Sequence, residues 1–224
     1  MNRATWRMVS TFGVLAGLVG IEHGLGAVLQ GNTAPDSVVI LSWPDSPFFD
    51  ILAGEPAMTL IPNLLITGIL AIVVSAIFAV WAALYVQRKN GGLILLLLSV
   101  IMLLVGGGFG PPLLGIVLGV TGTRIHAPLT WWRTRLAFGT RRFLSNLWPW
   151  AFGVCFIAWL ALFPGISLFD YFVGVADPYI MNTLASVAFG SLLVTIFLGF
   201  ARDADQQTDS APLPTPRRAP TGHA

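Results

Sequence analysis

Long apolar runs alternate with short polar ones along this chain. Apolar runs cover about 8–29, 59–86, 147–169 and 178–200. Each is close to the roughly 20 apolar residues a helix needs to cross a bilayer core. The pattern therefore predicts four full transmembrane helices. A further apolar stretch, Leu93–Val120, is interrupted by Gly106-Gly107-Gly108-Phe109-Gly110-Pro111-Pro112. Glycine and proline at that density do not continue a helix. Each arm holds about 10–14 residues, roughly 15–21 Å at 1.5 Å per residue, which is short of the roughly 30 Å core. The expectation is a broken helical hairpin over about 92–121, either re-entrant or two short spans, that leaves where it entered. Irregular backbone at membrane depth must be buried in protein or face water, so the apex is interior.

The polar stretches complete the plan. Gly31–Met58 holds Pro35, Pro44, Pro47 and Pro56, four acids (Asp36, Asp45, Asp50, Glu55) and no Lys or Arg. Its short apolar pieces, Val38–Leu41 and Phe48–Leu52, together with Trp43, suit a segment lying on the membrane surface. Asp177 and Pro178 read as the N-cap and first-turn proline of the last span. Residues 122–146 form a basic loop, and the Pro-rich stretch 201–224 reads as a disordered cytoplasmic tail. Residues 1–200 are thus one membrane domain. The first run contains Glu22 and His23 and lacks a small-residue cleavage site, so it reads as a retained helix and not as a signal peptide.

Composition agrees. The chain is 55% hydrophobic and 10% charged, against roughly 25% charged in soluble domains. It is read as an all-α, polytopic integral membrane protein with no room for a soluble catalytic domain. If residues 92–121 turn back, all twelve Lys and Arg fall on one side, and Asp36, Asp45, Asp50, Glu55, Asp170 and Asp177 fall on the other. Lys and Arg concentrate in cytoplasmic loops. The expectation is a multi-pass protein of the cell membrane with both termini cytoplasmic. The single cysteine, Cys155, has no intramolecular partner and reads as a small core residue.

Candidate chemistry centres on Glu22 and His23, because an ionisable group inside a span costs roughly 2.5–3.5 kcal/mol on insertion scales. Gly13, Gly17, Gly20 and Gly24 share one stripe, where helices can approach closely, in this chain or in a homo- or hetero-oligomer. Glu22 lies about 180° from Gly13 and needs a different partner. Depth arithmetic offers Asn63, Thr67, Asn182 and Thr183, with Ser186, and puts the apex Gly106, Gly107, Gly108, Gly110, Pro111 and Pro112 in the same half. The start of the return arm could face Glu22 or an anion there. Asn63, Thr67, Ala71, Ser75 and Ala79 form a small or polar packing row. Trp131, Trp132, Arg133, Arg135, Arg141 and Arg142 read as an interfacial segment on the bilayer, against anionic lipid headgroups.

No HExxH, CxxC or phosphate-loop motif occurs, so no metal, cofactor or nucleic acid is expected and an enzyme is disfavoured. Two functions of different class remain. One is a non-catalytic membrane scaffold or assembly factor, which the sequence favours. The other is a small transporter or channel-like protein with an outer-half polar site around Glu22 and the Gly106–Pro112 apex.

Overall fold

The computed structural model describes residues 1–174 and 177–209. It is an all-α polytopic membrane protein with four helical segments long and apolar enough to cross a bilayer: Arg3–Leu29, Leu64–Leu84, Phe138–Val173 and Tyr179–Thr208. Helix α1 (Arg3–Leu29) is central. It packs on α2 (Leu64–Leu84), α4 (Gly110–Gly122) and α8 (Pro178–Asp209). Between α2 and α4 lies α3 (Gly91–Leu104). A short α5 (Thr130–Arg135) precedes α6 (Phe138–Leu160). A π turn at Ala161–Gly165, where Phe163 and Pro164 break the helical geometry, leads from α6 into α7 (Ile166–Val173). The main core gathers Phe12, Phe78, Met102, Leu114, Leu118 and Trp159 from five helices.

The glycine stripe explains the closeness of α1 and α2. A Cβ on Gly13 would meet Ala82, and one on Gly17 would meet Ala79 and the Ser75 carbonyl. At Gly20 the neighbours are Ser75 and Met102, and at Gly24 they are Ile72 and the Gly68 carbonyl. The small row on α2 is the other half of this contact. The stripe is therefore filled inside the chain, mainly by α2.

Helices α3 and α4 lie side by side and antiparallel. Gly92 rests on Gly122 and Thr123, Leu96 on Gly119, and Ser99 on Gly115. The indole of Trp81 donates to the Gly91 carbonyl at 3.0 Å, and at the far end Gly106 rests on Thr67. The fourteen residues of α3 thus run beside Thr67–Trp81 of α2, about 21 Å. The chain enters and leaves this pair at one end of the molecule.

Basic residues share that end. The Asn2 amide group donates to the Arg124 and Ala127 carbonyls, His126 meets the Gln87 carbonyl, and Gln207 donates to Asn2. Arg217 and Arg218 lie outside the described residues. At the opposite end, the connection between α1 and α2 folds into a two-stranded antiparallel ribbon, β1 (Val39–Leu41) with β2 (Pro56–Met58), pairing Ile40 with Ala57. A 3-10 turn, Pro47–Leu52, bridges the strands and rests on α7 through Phe48 and Tyr171.

Four boundaries differ from the sequence reading. The start of α2 is Leu64, because the Asn63 side chain accepts from the Ile66 N–H at 3.0 Å and caps it. The first span begins at Arg3, not at 8. Helix α6 begins at Phe138, inside the expected basic loop. Helix α8 continues to Asp209, so 201–209 is helix and not tail; 210–224 lies outside the described residues. The polar side chains at 203 and 205 have partners. Asp203 accepts from the N–H groups of Ala4 and Thr5 and from the Thr5 hydroxyl, closing the open start of α1. Asp205 pairs with Arg141 at 3.2 Å.

Candidate functional site

One small position on α1 admits the ribbon. A Cβ at Gly26 would strike the Ser42 carbonyl and the Trp43 ring. One turn later, the Gln30 amide group donates to the Leu41 and Ser42 carbonyls, both at 2.9 Å. One turn earlier stands Glu22, whose carboxylate accepts from the Trp43 indole. Positions 22, 26 and 30 therefore form one face of α1, distinct from the glycine stripe, and the ribbon lies on it. Trp43 is also stacked on Phe49, ring centres 5.0 Å apart.

The ribbon brings a third ionisable group. The Ser42 N–H donates to the Glu55 carbonyl at 3.0 Å, and the Trp43 N–H to the Gly54 carbonyl at 2.9 Å, continuing the ladder past β1. Ala53, Gly54 and Glu55 all take positive φ (52°, 70° and 53°). For the two non-glycine residues this region is uncommon. The turn aims the Glu55 side chain inward, where it is 3% exposed.

Glu22, His23 and Glu55 present ligand-type atoms within 4.8 Å of one another. The His23 Nδ1 lies 3.2 Å from a Glu22 oxygen and 3.3 Å from a Glu55 oxygen. It is also 3.0 Å from the Val19 carbonyl oxygen. A carbonyl only accepts, so Nδ1 carries a proton. The opposite ring nitrogen, Nε2, points at Gly108, where a Cβ would collide with the imidazole. Gly108 has φ +82°, so both backbone and space require glycine there. Burial, and then the facing Glu22 carboxylate, push the Glu55 carboxyl up to about 10. At neutral pH it holds a proton that it can share with Glu22. No metal site was expected, yet three potential ligands converge. The protonated Nδ1 is a donor here and not a ligand, so the set is a proton-holding cluster before it is a metal centre.

An apolar groove of about 360 Å³ opens beside the cluster, with Glu22, Glu55 and Ser167 among apolar walls.

Of the expected polar set, Glu22 and His23 meet, and the apex residue Gly108 touches His23. Thr67 bonds Thr59 at 2.9 Å and supports Gly106. Asn63 caps α2 and bonds Asn32. Asn182 and Thr183 are exposed on α8 and take no part. Gly107 packs on Met102 and Gly110 on Phe163, and Pro111 and Pro112 are buried in the first turn of α4. The partners of the Glu22 carboxyl are Trp43, His23 and Glu55, where the start of the return arm had been expected. Glu55 and Trp43 were not singled out as its partners.

In the basic segment, Arg133, Arg135 and Arg142 are exposed with Trp131. Arg141 is buried against Asp205 and does not reach a headgroup, and Trp132 packs on Phe197 with centres 4.6 Å apart. The chain matches no family model, no curated protein and no solved structure.

Proposed function

We propose that the protein is a small transport-class membrane protein whose working site is the Glu22–His23–Glu55 cluster. It sits in the cell membrane with the basic end and both termini in the cytoplasm, and the cluster lies in the outer half. One observation carries the reading: Glu55 is buried against Glu22 and His23 by a turn in unfavourable backbone geometry. A structural contact does not call for this. Buried ionic groups replaced by apolar ones of similar volume often leave stability unchanged or improved. Strained residues that persist mark sites where geometry serves something besides stability. The scaffold reading rests on the hairpin and the glycine stripe as helix-packing surfaces, and neither calls for three ionisable groups beside an apolar groove.

The test uses Glu22→Gln and Glu55→Gln in lipid vesicles. An amide keeps size and hydrogen bonding but cannot titrate. The expected outcome is near-native thermal stability for both variants, with proton- or cation-coupled flux reduced at least tenfold. Absence of flux in the native chain, under pH and cation gradients alike, would leave the scaffold.

A further inference from the structure

We infer that the groove beside the cluster takes a lipophilic amine, with its ammonium group at Glu22, Glu55 and Ser167 and its apolar body against the groove walls. The inference rests on the site proposed above and names its ligand class.

The walls decide the body. Leu15, Leu18, Phe48, Leu52, Leu160 and Phe163 line the groove, and a hydrated ion would gain nothing from them. The volume of about 360 Å³ lies near the lower end of ordinary ligand pockets, roughly 300–1,000 Å³. A single ring system or a short alkyl chain fits. Leu18 and Leu160 stand within spanning helices and are 55% and 39% exposed. The open side therefore faces lipid, and the ligand arrives from the bilayer.

Charge decides the head. Two carboxyl groups, Glu22 and Glu55, stand at the groove, and no Lys or Arg lines it. An anionic head would face Glu22. A divalent ion would need the Nδ1 that already carries a proton. An ammonium group brings three N–H donors, and the groove offers three acceptors. The third is independent of the acidic cluster: Ser167 is 1% exposed, lines the groove, and its hydroxyl has no hydrogen-bond partner. Buried polar atoms are seldom left unpaired, so an unpaired hydroxyl on a ligand-sized groove points to an absent donor.

The experiment compares octylamine, octanol and octanoate on the full-length protein in lipid nanodiscs. Calorimetry measures binding, with empty nanodiscs as the blank. Octylamine should bind saturably, one per chain, at least tenfold tighter than octanol or octanoate. Glu22→Gln, which removes the negative charge, should weaken it at least tenfold, and Glu55→Gln and Ser167→Ala by smaller factors. Leu160→Trp, which fills the groove without touching the acids, should abolish binding. Folding of each variant is checked by its melting temperature. Octanol binding as tightly as octylamine would overturn the amine, as would octanoate binding tightest. Zinc that binds one per chain and is lost in Glu55→Gln, with no saturable amine binding, would also overturn it. The flux assay separates the two claims: flux without amine selectivity rejects this ligand and keeps the site, whereas no flux rejects the site itself.

Discussion

At the scale of single residues, three ionisable side chains, Glu22, His23 and Glu55, make the site. Glu22 and His23 stood out because each is ionisable inside an apolar run, where only a partner or a task explains the cost. Glu55 did not stand out, because an acid between Gly54 and Pro56 in a polar, proline-rich connection looks like any surface acid. What buries it is the turn of three positive-φ residues, and of these only Gly54 advertises that geometry. The pH dependence follows from its carboxyl being pushed up to about 10. The folded chain holds a proton that the unfolded chain releases near 4.5. This contribution is complete below 4.5 and is lost as pH rises toward 10, at no more than about 1.4 kcal/mol per pH unit. Chemical denaturation between pH 5 and pH 9 should show stability falling in the native chain, with a shallower slope in Glu55→Gln. Parallel slopes would mean that Glu55 is already ionised. A second residue test is Gly108→Ala, which forces an L side chain into positive φ and into the imidazole. It should cost about 1–3 kcal/mol, whereas Ala at Gly139, where nothing lies within 4 Å, should not destabilise.

At the scale of elements, hydrophobic periodicity found the helices and misplaced their ends. The glycine stripe was readable because spacing alone puts Gly13, Gly17, Gly20 and Gly24 on one face. The ribbon was not, since pairing between 39–41 and 56–58 is non-local and its strands have three residues each. Helix α8 was cut short because Arg202, Asp203 and Asp205 look like a solvated tail until their partners on α1 and α6 are known. These partners give a test. Arg141→Met leaves Asp205 buried without its counter-ion, and should cost about 3–5 kcal/mol. The double variant Arg141→Met/Asp205→Leu should recover most of the loss, because the stranded charge is gone. Melting temperatures in detergent read both, and additive losses would show that the pair is not coupled.

At the scale of the whole molecule, the distribution of charge sets an orientation that can be tested. The open ends of the arms of residues 91–122, the connections after α2 and α4 and the N-terminus gather at one end, with the arms' apex, the ribbon and α7 toward the other. If the basic end is cytoplasmic, Asp45→Cys and Asp177→Cys, in a background lacking Cys155, should react with an impermeant thiol reagent added outside intact cells. Arg133→Cys should not, and its labelling would reverse the orientation. In that orientation the ribbon that carries Glu55 lies at the outer end, and the proposed transport depends on that residue's proton. The direct measurement is infrared titration of the intact protein in sealed, right-side-out vesicles, stepping the external pH and following the protonated-carboxyl band. A protonated carboxyl is expected at pH 7, lost in Glu55→Gln and fading as the external pH approaches 10. A spectrum with no protonated carboxyl at pH 7, or one unchanged in Glu55→Gln, would contradict it.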